Sequence, residues 1–200
     1  MLHLYFSMLP NQVWQKVGKS KNYRFIATQK IRALLGPEFC NNLLSFHAIS
    51  GCDTTSQFCG IGKKGAWKVY QQNPSLLNGI GYGALSPEKL KNVEKFVVSM
   101  YAMKSSLTSV DDLRAQLFCT ESAEKLPPTQ DAVIQHAKRA HNQASIWHHA
   151  LEAKPSLPTP KEYGWKEDDN GNLIPFLMTK LPILVTCIAL ISLMSCMHNS

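Results

Sequence analysis

A chain of 200 residues that is 44% hydrophobic and carries a formal net charge of +7 has enough apolar material for one or two small domains, which excludes wholesale disorder. The charge is uneven. Residues 1–70 hold nine cations (Lys16, Lys19, Lys21, Arg24, Lys30, Arg32, Lys63, Lys64, Lys68) against Glu38 and Asp53, whereas the rest of the chain is balanced. Excess charge confined to one third of a chain is the footprint of a polyanion-binding region.

Taken in chain order, Gln12–Val17 and Tyr23–Ile26 read as short strands joined by a polar turn, Gly18 to Asn22. A short helix follows, with Thr28 as its expected cap, Ile31, Leu34 and Leu35 as its apolar face, and Gly36-Pro37 as its stop. A second helix is expected from about Glu38 to Ser50, because Phe39, Leu43, Phe46 and Ile49 fall on one stripe. Gly51 ends it. Further on, Gly79 to Gly83 lacks the Gly-Lys-Ser/Thr ending of a phosphate loop and reads as a flexible connector. Ser86-Pro87 opens a helix whose inner face is Leu90, Val93, Val97 and Met100. Another short helix covers Val110 to Phe118.

Leu126-Pro127-Pro128 marks a boundary, and Thr129 caps a long helix reaching about Ala153. Its inner stripe is Val133, Ala137, Ala140, Ala144, Trp147 and Leu151. His136, His141, His148 and His149 ride on this helix and are expected on its solvated surface. Only Glu152, four residues after His148, stands at ligand spacing after His141 or His148, and one carboxylate does not complete a metal site. Pro155 to Pro160 forms a stiff linker, followed by Tyr163-Gly164-Trp165 and an acidic exposed turn, Glu167 to Gly171.

Six cysteines, at 40, 52, 59, 119, 187 and 196, include no C-x-x-C pair. No basic flank precedes the apolar start, Met1 to Leu9. A reduced intracellular setting, nuclear or cytoplasmic, is expected, and structural zinc is not.

The chemistry-bearing stretch is Gly60-Ile61-Gly62-Lys63-Lys64-Gly65-Ala66. The glycines permit a tight turn and a close approach of backbone to phosphate. Ile61 is expected to plug the turn into the core, and Ala66 to let two helices pack closely. Amides just after Gly62 open a helix and present N–H groups and a positive dipole end to an anion. Lys63, Lys64 and Lys68 are expected to add charge on the exposed side. The predicted unit is a helix–hairpin–helix with its core at 38–73. Its leading function is non-sequence-specific binding of a nucleic-acid backbone, with double-stranded DNA as the foremost partner.

These residues also resemble a known family. The run Leu43-Leu44-Ser45-Phe46-His47-Ala48-Ile49-Ser50-Gly51-Cys52-Asp53, then Gly60 to Ala66, is similar to the helix–hairpin–helix region of the flap-endonuclease family, nucleases of the XPG-like, PIN-fold type. The wording around Asp53-Thr54-Thr55-Ser56 and Lys63-Lys64-Gly65-Ala66-Trp67 is similar to that of transposon-associated animal proteins in that family. The resemblance covers roughly residues 25–75, with a similar tail from Leu126 to Trp165. It implies a metal-ligand and catalytic position at Asp53, a backbone grip at Gly60, Ile61, Gly62, Lys63 and Lys64, and a potassium ion at the hairpin. Hydrolysis with Mg²⁺ or Mn²⁺ needs several clustered carboxylates, and only Glu38 and Asp53 precede residue 88. An N-terminally truncated or degenerate, mobile-element-derived copy is therefore expected. It would act as a structure-specific nuclease only if a longer isoform supplied the missing acids.

Leu181 to Met197 is seventeen residues without a charge, at the short end of what spans a bilayer. A tail-anchored membrane protein with a purely structural hairpin is the alternative. The expected architecture is mainly α. A partial nuclease-like region (1–105) with a small N-terminal β-hairpin precedes a helical extension (106–154) carrying the long C-terminal helix. A linker (155–175) and an apolar tail (176–200) complete it.

Overall fold

The computed structural model describes residues 13–19 and 21–179. The fold is mainly α, with seven helices and two antiparallel strand pairs among these residues. Strands Trp14–Lys19 (β1) and Asn22–Ala27 (β2) pair from Trp14↔Ala27 to Lys19↔Asn22, β1 shifted towards the turn relative to the expected Gln12–Val17 and β2 one residue longer at each end than Tyr23–Ile26. Helix α1 (Thr28–Leu35) follows at once. Its N-cap is Ala27, and Thr28 is instead its first residue, because the Thr28 hydroxyl donates to the Val13 carbonyl at 2.9 Å. That bond ties the helix to the start of β1. The apolar face expected there is not buried: Leu34 is 86% exposed.

The single helix expected at 38–50 is two: α2 (Pro37–Asn41) and α3 (Leu43–Ile49). Asn42 separates them. It is buried, and its side-chain amide donates to the Pro74 carbonyl at 3.2 Å and to the Asn78 side chain. A buried amide must find partners, and here they lie some thirty residues away. The apolar stripe survives the break, with Leu43, Phe46 and Ile49 in the core and Phe39 half-buried against it.

Helix α4 (Lys63–Gln72) contributes Ala66, Val69 and Tyr70 to that core. Phe46 stacks on Tyr70 at 4.8 Å, and Trp67 meets Phe46 edge-on at 5.4 Å. Rings in these geometries add about 0.5–1.5 kcal/mol per pair beyond the area they bury. A 3₁₀ turn (Pro74–Leu77) leads to the glycine loop, then to α5 (Pro87–Tyr101), where the Ser86 hydroxyl accepts from Lys89 N at 3.3 Å as the cap expects. Helix α6 (Val110–Leu117) and the long α7 (Gln130–His148), capped by Thr129, follow.

The long helix, expected as part of an extension, shares the main core. It packs on α3 and α5, presenting Val133, Ala137, Ala140 and Ala144. Glu94 on α5 is buried where it joins three elements, accepting from the backbone of Val110 at 2.9 Å and from the side chain of Gln130. Leu151 falls beyond the helix end and is exposed.

Strands Trp165–Glu167 (β3) and Leu173–Pro175 (β4) form a hairpin around the expected acidic turn, whose Asp168 carboxylate accepts from the amides of Asn170 and Asn172. Arg139 of α7 holds this hairpin by donating to the carbonyls of Phe176 at 2.6 Å and Gly164 at 3.3 Å. Among the described residues no helix is long and apolar enough to cross a membrane. The apolar tail, 181–197, lies outside the described residues.

Candidate nucleic-acid interface

The segment 50–62 joins α3 to α4 and is held at both ends. Near its start, Cys52 and Thr55 form an isolated bridge, and the buried Thr55 hydroxyl donates to the Ala48 carbonyl at 2.7 Å. Near its end, Phe58 and Ile61 bridge, with Ile61 N donating to Phe58 O at 3.1 Å. Phe58 is buried with its ring 4.8 Å from that of His136 on α7, and the Tyr101 hydroxyl of α5 reaches the Cys59 carbonyl at 3.2 Å. Ile61 packs on the core. The turn is therefore fixed by two helices beyond those it connects.

Its tip is exposed. Gly60 sits at φ 72°, where a side chain would be strained. Nothing lies within 4 Å of where a Cβ would stand at either Gly60 or Gly62. Gly62 is the N-cap of α4, in extended conformation and without a side-chain cap. The first helical bonds run from Gly65 N and Ala66 N to Gly62 O. The amides of Gly62, Lys63 and Lys64 thus precede the internal ladder, which is where a helix attracts anions. No acid occupies the first turn. Lys64 and Lys68 are exposed on the same helix, and Ala66 is buried.

Lys63 is placed differently from the expectation that it faces outward. Its ammonium turns back to the end of α3, donating to Ser50 Oγ at 2.9 Å, to the His47 carbonyl at 3.2 Å and to the Gly51 carbonyl. Burial lowers its pKa. A cation there answers the carbonyls left unpaired at a helix C-terminus. The exposed charge of the turn rests on Lys64 and Lys68.

Asp53 stands exposed in the turn between Cys52 and Thr55. Glu38 lies elsewhere, accepting from the Asn78 side chain at 3.4 Å. Among the described residues, no three His, Cys, Asp or Glu side chains gather where they could hold a metal ion. A hydrolytic divalent cation needs several carboxylates, so the side chains beside Asp53 do not fit one.

Three of the four histidines of α7, expected on its wet face, are buried: His136, His141 and His148. His136 Nε2 is 2.8 Å from the Ile49 carbonyl, which can only accept, so Nε2 carries the proton. Burial pushes its pKa down to about 4, with Arg139 contributing. His141 makes two such bonds. Its Nδ1 accepts from Gly81 N at 3.1 Å, and its Nε2 donates to the Gly83 carbonyl at 2.9 Å. His148 stacks on Tyr82 at 3.9 Å, and burial drives its pKa to about 4 as well. The glycine loop, expected as a flexible connector, is therefore pinned to α7, with Ile80 in the core and the Ser45 hydroxyl donating to its carbonyl at 2.9 Å. A signal for this was present: His141 and His148 each follow a stripe alanine, Ala137 and Ala144, by four residues, and so share its face.

No family model matches the chain, and neither the curated proteins nor the solved structures contain a match to it.

Proposed function

We propose that this chain holds the sugar–phosphate backbone of duplex DNA without reading its sequence, as a degenerate flap-endonuclease-like protein of mobile-element origin. The observation that carries the reading is the open tip of the 58–62 turn. Two exposed glycines there leave room for a phosphate at the uncapped start of α4, with Lys64 and Lys68 beside it. Backbone amides and lysines contact phosphates, which position a protein on DNA but carry no base information. A potassium ion at the hairpin, which the family resemblance implies, would be held by the turn's backbone and would add positive charge beside a phosphate. Binding is assigned to the chain, and hydrolysis is not, because among the described residues no three His, Cys, Asp or Glu side chains gather at Asp53 or elsewhere to hold a metal ion.

The test is titration of a labelled duplex at several salt concentrations. Affinity should be independent of sequence and fall steeply with salt, since each neutralised phosphate contributes a log–log slope of roughly −0.9. The Lys64→Ala/Lys68→Ala variant should bind more weakly, with the slope flattened by about one to two. An unchanged slope in that variant removes the turn from the interface.

A further inference from the structure

The β1–β2 hairpin takes no part in the turn just described, and its two faces differ. The pairing Trp14↔Ala27, Lys16↔Phe25 and Gly18↔Tyr23, with alternation along each strand, places Trp14, Lys16, Tyr23 and Phe25 on one face. Gln15, Val17, Arg24 and Ile26 share the other, where Val17 and Ile26 are half-buried. The first face is aromatic and open: Trp14 is 52% exposed, Tyr23 49% and Phe25 57%. The Lys16 ammonium lies 4.0 Å from the centre of the Tyr23 ring, and Tyr23 meets Phe25 edge-on at 5.6 Å.

This combination is unlike either ordinary surface. A face built for a protein core does not carry a lysine among its rings, and a solvated strand face does not carry three aromatics. Charge narrows the occupant further. Residues 14–27 contain Lys16, Lys19, Lys21 and Arg24 and no acid. The complementary ligand is an anion with flat apolar faces. An acidic peptide supplies the charge without the planes, whereas unpaired nucleobases on a phosphate backbone supply both.

We propose that this face is a stacking platform for single-stranded DNA. Trp14 and Phe25 offer ring faces to successive bases, Tyr23 holds Lys16 over the platform, and Lys21, exposed at the turn, meets the phosphates. The proposal rests on the reading that the chain handles DNA, but it concerns a separate element and a different part of the nucleotide.

The experiment uses the full chain and four labelled probes followed by fluorescence anisotropy: oligothymidine, an abasic strand of equal length and charge, oligouridine, and a duplex. The abasic strand is expected to bind at least about tenfold more weakly than oligothymidine, because stacking is lost while phosphates remain. Trp14→Ala and Phe25→Ala should each weaken oligothymidine binding by about tenfold, with Trp14→Tyr restoring most of it and duplex binding unaltered. Lys64→Ala/Lys68→Ala should do the reverse. Equal binding of the abasic strand to the unaltered protein overturns the platform, whatever the variants do to folding. So does full oligothymidine binding by both alanine variants. A tenfold preference for oligouridine overturns the assignment to DNA. Oligothymidine binding without duplex binding leaves the platform standing and removes the function proposed for the 58–62 turn.

Discussion

The Lys63 ammonium donates to the Ser50 hydroxyl at 2.9 Å and thereby joins the first turn of α4 to the end of α3 across the loop between them. Ser50 is itself anchored, donating to the Phe46 carbonyl at 2.7 Å. This side chain thus adds a direct tie between α4 and the end of α3 to the contacts of Phe58 and Tyr101 that hold the turn.

Lys63→Ala should therefore act on stability first. It leaves the carbonyls of His47 and Gly51 without this donor, and hydrogen bonds to charged groups contribute about 1.5–3 kcal/mol. Because Lys63 is only half-buried, water replaces part of that, and a loss of about 1–2 kcal/mol is expected. Urea denaturation at neutral pH measures it. Lys64→Ala and Lys68→Ala, on exposed side chains, should stay within about 0.5 kcal/mol of the parent. Equal effects of all three substitutions would mean that Lys63 faces solvent as its neighbours do.

The histidines of α7 make a prediction about pH. His136 is neutral in the fold, its pKa pushed down to about 4 by burial, against an ordinary value of 6.5. Above 6.5 neither the folded nor the unfolded state holds the proton, and the stability from this site is complete. As pH falls from 6.5 towards 4, the unfolded chain takes up a proton that the fold refuses, and stability is lost. The loss approaches about 3 kcal/mol for His136. His148 shifts in the same direction and steepens the fall. His141 has its pKa lowered by burial too, and protonating its Nδ1 would break the bond from Gly81 N. Urea midpoints across this range should drop with acid, and His136→Gln should flatten the slope by about one proton whatever it does to the height. A slope unchanged by that substitution would place His136 in water.

The outline of this fold was legible because local chemistry marks it. Gly36-Pro37, Ser86-Pro87 and Thr129 each stand at a helix boundary, and the stripe Leu43, Phe46, Ile49 faces the core as its spacing implies. The departures come from partners distant in sequence. Asn42 interrupts a helical stripe because Pro74 and Asn78 receive its amide. Lys63 turns inward because the end of α3 offers three oxygens, which nothing in Gly62-Lys63-Lys64 announces. The glycine loop has the composition of a free connector and is held by His141 instead. At the turn, the glycines, Ile61 and Ala66 could be placed by their size and shape alone. The direction of each lysine could not, since a lysine stem reaches either solvent or a nearby carbonyl with the same sequence around it.

Two glycine positions separate folding from binding. Gly81 is packed at φ 89°, and a Cβ there would lie 2.6 Å from His148 Cδ2 and 2.8 Å from the Ala144 Cβ. Gly81→Ala should destabilise by about 2–4 kcal/mol through overpacking and backbone strain together. Gly62 is the contrast. Its φ of −78° suits any residue, and no atom lies within 4 Å of where its Cβ would be. Gly62→Ala should leave the urea midpoint within about 0.5 kcal/mol of the parent, since it adds a methyl to open space and loses no side-chain cap. If the turn grips phosphate, that same methyl stands where the backbone amides must meet the ligand, and duplex affinity should fall by about tenfold or more, the factor corresponding to 1.4 kcal/mol. Oligothymidine binding to the β1–β2 face should be unaffected. Unaltered duplex affinity in a stably folded Gly62→Ala protein would show that no phosphate approaches the start of α4, and the contacts to DNA would then have to be sought among the lysines alone.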